Sequence, residues 1–294
     1  MTEYKSVYEG YIRRLTARME EDLPHLFAEN SSVADAAQYS LLSGGKRVRG
    51  VLVLAVCDLL CGDMLAAESF GSAIEMLHCY SLIHDDLPCM DNAAMRRGKP
   101  SCHKAYGEAT ALLAGDALLT AAFEEIAFSA ATKEQIADAV LCLSKAAGPT
   151  GMVHGQELDL AFEHKQPTRA DLLRIHQHKT GDLINAAVGL GVIAAKADAR
   201  RKSLLKEYSS RIGLVFQIVD DILDITATAE ELGKPVRNDD LCGKITFATL
   251  EGVKQAQAEA ARLTEEACAL LTAEFGEKAE FLAALAQSLL VRKN

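Results

Sequence analysis

Tryptophan is absent from the 294 residues, and only six are proline. Scarce proline leaves few interior helix breakers, and the alanine- and leucine-rich remainder favours helix over strand. No long apolar run occurs. Segments such as Val51–Val56 are too short to span a bilayer, so no integral membrane segment is expected. Positive charge is in deficit, with a formal net charge of −10. That balance excludes nucleic acid as a bulk partner but leaves room for a local basic pocket that takes a small anion. The eight cysteines include no C-x-x-C pair, and Met1–Arg14 is polar and charged. Free thiols in a reducing, cytoplasmic protein are the expectation.

What is present is a chain 49% hydrophobic, enough for a sizeable core. Tyr4–Phe27 carries apolar residues at helical spacing. Arg49–Leu60, Ala109–Ala122 and Leu183–Ala195 are apolar almost all round, the pattern of internal helices. Period-two alternation is nowhere sustained, so a sheet has little support. Breaks fall at Ser43-Gly44-Gly45, Gly62-Asp63, Arg97-Gly98-Lys99-Pro100, Gly148-Pro149-Thr150, Gln166-Pro167-Thr168 and Gly233-Lys234-Pro235. Thr168 followed by Asp171 has the form of a capping box. No linker or low-complexity tract divides the chain, so residues 1–294 read as a single all-α domain of ten or more helices.

Two stretches set carboxylates against this apolar background. In Phe216–Ile225, FQIVDDILDI, Asp220 and Asp224 fall about 40° apart on one helix face, where like charges repel. Apolar flanks raise that penalty, and a divalent cation removes it. Oxygen ligands with no Cys or His partner favour Mg²⁺, with Mn²⁺ as a substitute, over Zn²⁺. The other stretch, LIHDDLPCMD, carries Asp85, Asp86 and Asp91. Six residues of straight helix rotate about 600° and would point Asp85 and Asp91 apart. Pro88 is expected to end or kink the helix near Ile83–Leu87 and let Asp91 fold back. Mg²⁺ binds through one or two carboxylates plus substrate phosphates, so the expected ligand is a diphosphate. Cations are near: Arg96-Arg97-Gly98-Lys99, Gly44-Gly45-Lys46-Arg47-Val48-Arg49 at an expected helix start, Lys179-Thr180, Lys234 and Lys244. Gly45-Lys46 is not a P-loop, since Ser40 and Arg47 stand where that motif needs Gly and Ser/Thr.

The ordered set GGKRVR (44–49), EMLHCYSLIHDDLPCMD (75–91), RRGKPSCH (96–103), AGDALLTAAFE (114–124), GMVHGQELDL (151–160), HKTGDLI (178–184) and FQIVDDILD (216–224) resembles the trans-isoprenyl diphosphate synthases. The resemblance implies an all-α isoprenoid synthase fold around a deep central cavity, a homodimer, and head-to-tail condensation of an allylic diphosphate with isopentenyl diphosphate. It implies up to three Mg²⁺, held by Asp85 and Asp91 and by Asp220, with Asp86 and Asp224 in support. Arg96, Lys179 and Lys244 are then expected to hold the allylic diphosphate, with Lys234 near them. Lys46, Arg49, His78 and Arg97 are expected to hold isopentenyl diphosphate. Thr180 and Gln217 would face the developing allylic cation.

Product length in such enzymes follows the floor of the tail pocket. Tyr80 lies five residues and Ser81 four before Asp85, and an aromatic at the first position resembles the bacterial farnesyl synthases. The expected product is (2E,6E)-farnesyl diphosphate from dimethylallyl and geranyl diphosphates; a twenty-carbon geranylgeranyl product is the alternative. Departures from the family pattern are Ala93-Ala94, Gly50, Arg237 and Phe247. His176 and His178, with His164 nearby, are expected to line or support the pocket rather than bind zinc. The cysteines receive no role.

Overall fold

Short polar side chains start many of the helices. In the computed structural model, which describes residues 2–226 and 246–292, the Ser31 hydroxyl accepts from Ala34 N–H, and the Asp63 carboxylate accepts from Leu65 and Ala66 N–H. Thr168 with Asp171 and Thr246 with Thr249 form capping boxes, the first as its sequence pattern anticipates. The helices among the described residues are α1 (Thr2–Leu26), α2 (Ser32–Leu41), α3 (Val48–Leu59), α4 (Met64–Asp85), α5 (Cys102–Tyr106), α6 (Glu108–Phe128), α7 (Lys133–Ala147), α8 (Met152–Ala161), α9 (Arg169–His176), α10 (Asp182–Ala194), α11 (Ala199–Thr226), α12 (Phe247–Glu251), α13 (Val253–Phe275) and α14 (Glu280–Leu290). A π-helical turn, Gln177–Gly181, joins α9 to α10. One short antiparallel hairpin pairs β1 (Met95–Arg96) with β2 (Lys99–Pro100).

By internal contacts the chain forms two compact units, Met1–Val140 with Leu190–Lys196, and Leu141–Gly189 with Ala197–Asn294. In the first unit, every residue of α3 from Val48 to Cys57 is buried, and α4 is buried through most of its length. This follows from their all-round apolar sequence. Gly50 N–H donates to Glu75 Oε1 at 2.9 Å, a bond that a proline there could not make. Helix α6 departs from expectation. Ala111, Ala114, Leu118, Ala121 and Ala122 are buried, but Leu112 and Leu113 are 46% and 52% exposed. Its sequence is apolar on every side, so only packing decides which stripe faces inward. Gly115 lies against His84 of α4, where an added Cβ would fall 2.1 Å from Nε2.

The second unit is built on α11. Val215, Ile218, Val219 and Ile222 pack with Phe247 and Ala248 of α12 and with Ala256, Ala260 and Leu263 of α13, while Leu290 of α14 closes the cluster. Tyr208 Oη donates to the Leu282 carbonyl at 2.9 Å.

A buried acid pair ties α1 to α4 and α6. Arg18 reaches Asp22 at 2.7 Å and Glu125 at 2.8 Å, and Ser72 Oγ donates to Asp22 at 2.7 Å. Both carboxylates are 3% exposed. Burial, and then the neighbouring Asp22, push Glu125 up to about 7; burial also raises Asp22. A carboxyl whose pKa is higher in the folded than in the unfolded state stabilises fully below the ordinary carboxylate range. That contribution is lost as pH rises through the folded value. Urea unfolding between about pH 5 and 7.5 should therefore show stability falling with pH, and Glu125→Gln should flatten the slope by about 1–2 kcal/mol across that window.

Candidate active site

In the first unit the last turn of α4 carries Asp85, and the chain then folds back. Leu87 N–H donates to the His84 carbonyl at 3.1 Å and Asp91 N–H to the Asp85 carbonyl at 2.8 Å. Helix α4 ends three residues before Pro88, whose preceding residue is disfavoured in helical geometry. The Asp91 backbone thus folds back onto that of Asp85, as expected of a chain broken at Pro88. The three acids differ in setting: Asp91 is exposed, Asp85 half-buried and Asp86 2% exposed. Both oxygens of Asp86 accept from Arg96, from Nε at 3.1 Å and from Nη2 at 2.5 Å.

Arg96 is delivered by the hairpin that the sequence pattern missed. Its turn places Arg97 (φ 53°) and Gly98 (φ 75°) in the left-handed region, as a two-residue type I′ turn requires. Arg97 Nη1 donates to the Gly44 carbonyl at 2.6 Å, and its guanidinium lies over Gly45, where a Cβ would come within 2.9 Å of Cζ. Lys46 is exposed, its carbonyl accepting from Tyr8 Oη at 2.6 Å, and Arg49 is 9% exposed. Burial holds the His78 imidazole well below its usual range, and Arg49, Arg97, Arg96 and Arg47 add to the effect in that order. Glu75 answers Arg47 at 3.3 Å and Asp86 answers Arg96. The imidazole among them is neutral. Asp85 and Asp91 act on Arg96 as well, so this cationic group adjoins the acidic turn. Tyr80 is 8% exposed with its ring edge-on to His84, at 5.7 Å between centroids, and Ser81 Oγ donates to the His78 carbonyl at 2.9 Å.

In the second unit the π-helical turn aims the side chains of HKTG, a local irregularity of the kind frequent at functional sites. Gly155 of α8 admits it, since an added Cβ would meet Lys179 N at 2.1 Å. Lys179 Nζ donates to Asp159 Oδ2 at 2.6 Å. Thr180 Oγ1 donates to Gln217 Oε1 at 2.9 Å, and Gln217 Nε2 donates to Asp221 Oδ1 at 2.9 Å. Asp221 Oδ2 accepts from Phe247 N–H at 2.8 Å, with His176 Nε2 at 3.5 Å. Burial first, opposed by Asp159 and reinforced by Lys179, lowers His176 to about 4, so this imidazole is neutral. Asp159, His176, Lys179, Gln217 and Asp221 line a cavity of about 100 Å³. His178 pairs with Asp182 at 2.9 Å. Asp224 is buried, and Asp220, 46% exposed, pairs with Arg292 at 2.5 Å. Lys234, Lys244 and Arg237 lie outside the described residues.

Asp221, Asp159 and Arg292 received no role from the sequence. Asp221 had a usable signal, since Gln217 stands four residues before it on the same helix and Gln–Asp pairs at that spacing bond. For Asp159 and Arg292 no local spacing names the partner, which is 20 and 72 residues away. As for metal, no three His, Cys, Asp or Glu groups among the described residues converge into a ready-made cage. The donors nevertheless suit Mg²⁺. Asp85 and Asp91 are brought together by the turn, they present carboxylate oxygen, and His84 is occupied by the Leu112 carbonyl at 3.0 Å. One or two carboxylates, completed by water and ligand phosphate, are what Mg²⁺ takes.

The polyprenyl synthetase family model matches residues 30–285. Geranylgeranyl pyrophosphate synthase 3 of Arabidopsis thaliana, a chloroplastic protein, is 47% identical over 272 residues, covering 90% of this chain and 76% of that one. A geranyltransferase structure from Legionella pneumophila has 38% identity and a TM-score of 0.89, covering 100% of this chain and 98% of that chain. A geranyltransferase from Helicobacter pylori, solved with magnesium and isoprenyl diphosphate, has 36% identity and a TM-score of 0.88, covering 97% and 96%. The all-α isoprenoid synthase fold and the acid-and-arginine site define a trans-prenyltransferase. The chain belongs to the polyprenyl synthetase family. No helix among the described residues is long and apolar enough to cross a membrane.

The buried network yields a test. In Asp221→Asn the amide presents N–H to one of two donors, Gln217 Nε2 or Phe247 N–H. One bond is then lost and a donor left facing a donor, at about 1–3 kcal/mol. The expected result is a thermal midpoint lowered by several degrees and kcat lowered about tenfold or more, with the Mg²⁺ requirement unchanged.

Proposed function

We propose that the enzyme condenses dimethylallyl and then geranyl diphosphate head to tail with isopentenyl diphosphate, giving (2E,6E)-farnesyl diphosphate. Tyr80 carries this reading. It stands about 7.5 Å before Asp85 along α4, and its ring is buried against His84, which the Leu112 carbonyl and the bare Cα of Gly115 hold in place. A tail growing down α4 from the acidic turn meets a fixed aromatic wall. The Legionella and Helicobacter neighbours, both named geranyltransferases, support it. A twenty-carbon product is the second reading, favoured by the Arabidopsis relative's name.

Asp85 and Asp91, and Asp220 with Asp224, would hold up to three Mg²⁺, or Mn²⁺ in their place. When bound, the ions supply Lewis-acid neutralisation of the charge that develops on the leaving diphosphate. Asp86 acts by fixing Arg96. Arg96 and Lys179, with Lys244 and Lys234 from outside the described residues, bind the allylic diphosphate. Lys46, Arg49, Arg97 and the neutral His78 bind isopentenyl diphosphate. The Thr180 hydroxyl donates its hydrogen bond to Gln217 Oε1, which leaves its oxygen lone pairs for the allylic cation. Asp221 holds the Gln217 amide in the orientation that accepts that hydrogen bond. Apolar helix surface keeps water from the cation. The departing diphosphate takes the proton after carbon–carbon bond formation, and no side-chain base is assigned. The family match runs through both units, and we read residues 1–294 as one domain of a cytoplasmic, homodimeric enzyme.

Product analysis with dimethylallyl and isopentenyl diphosphates tests this. Mainly fifteen-carbon diphosphate is expected; mainly twenty-carbon product selects the second reading. Tyr80→Ala should lengthen the product, and an unchanged distribution would place the floor elsewhere. Asp85→Ala should lower kcat/KM by at least about a hundredfold.

A further inference from the structure

Arg292 lies two residues beyond α14, and its side chain is 8% exposed. Its Nη2 donates to Asp220 Oδ1 at 2.5 Å and to the Phe216 carbonyl at 2.6 Å. Its guanidinium covers the Phe216 ring, with Cζ 3.9 Å from the centroid. Phe216 and Asp220 are four apart on α11, so one helix face presents ring and carboxylate together. Leu290 packs on the core formed by Val215, Ile218 and Val219, which anchors the end of α14 and sets the arginine in place. Asp220 is also the half-exposed acid of its cluster, whereas Asp221 and Asp224 are buried. The carboxylate of this cluster most open to a metal ion therefore already carries a cation. Arginine suits that position, being permanently charged, weakly hydrated and flat enough to stack.

We propose that Arg292 is a built-in competitor for the metal at Asp220. In the metal-free protein the guanidinium occupies the carboxylate, and a divalent cation binds there only by releasing it. Without the arginine, Asp220 would repel Asp224 one turn away, so the pairing stabilises the empty site and sets a threshold concentration for loading it. The proposal rests on Asp220 being a metal ligand, as assigned under Proposed function.

Mn²⁺ alone, titrated in diphosphate-free buffer and followed by loss of the free-ion paramagnetic resonance signal, tests it on the full chain. Arg292→Gln should bind one Mn²⁺ about tenfold more tightly, the scale of one lost charge-assisted hydrogen bond. Asp220→Asn should lose that ion whether or not Arg292 is present. If Arg292→Gln leaves Mn²⁺ affinity unchanged or weaker while Asp220→Asn loses the ion, competition is overturned and the metal assignment stands. If Asp220→Asn binds Mn²⁺ as the parent does, the metal assignment falls and the proposal with it. Should Arg292→Gln not fold, Arg292→Lys keeps the charge without the flat stack and should shift affinity the same way by a smaller factor. The chain has no Trp, so Phe216→Trp supplies a single tryptophan under the guanidinium, excited apart from the tyrosines at about 295 nm. Mg²⁺ should change its emission, and an emission that stays constant while Mn²⁺ binds would show that Arg292 is not released.

Discussion

A carboxylate set in an apolar helix is tolerable only when a cation or fixed donors answer it, and this constraint orders the whole molecule. Asp86 is answered by Arg96, Glu75 by Arg47 and Gly50 N–H, Asp22 by Arg18 and Ser72, and Asp221 by Gln217 and Phe247 N–H. Each of these acids is nearly inaccessible. Asp85, Asp91 and Asp220 are more open. The same physics thus separates these four buried acids, which fix side chains, from three more open ones suited to meet an ion. At Asp220 an arginine already occupies that place.

Fixed side chains are what this chemistry demands of the scaffold. Stabilising a developing charge works when the donors are already oriented, so that nothing reorganises as the bond breaks. Close backbone approaches supply the orientation. Gly115 lets His84 lie close against α6, Gly155 lets the π-helical turn press on α8, and Gly45 lets the Arg97 guanidinium pass over the loop. The neutral state of His78, produced by burial and by four guanidiniums, keeps a donor and acceptor in a cationic group without adding to its charge.

The fold class and much of the site were legible from residue pattern. Carboxylates at i and i+4 in an apolar run, a proline after a helix-ending acid pair, and the Thr168–Asp171 cap are local signals, and local signals survive in one dimension. The fold-back of Asp91 is of this kind, because a six-residue turn is decided by its own hydrogen bonds. The hairpin at Met95–Pro100 was not legible, since four residues are too few to show alternation. Its Arg97-Gly98 turn was visible only as a break.

By itself the sequence determined the helices, the two acidic clusters and the residues available as cations, because each depends on spacing within a few turns of chain. Tertiary structure decided which acid is spent on which partner. Asp159 meets Lys179 across 20 residues, Phe247 N–H caps Asp221 across 26, and Arg292 reaches Asp220 across 72. It also decided that Leu112 and Leu113 of α6 face outward. The energy of a buried charge depends on what lies around it in three dimensions, and spacing along the chain does not carry that information.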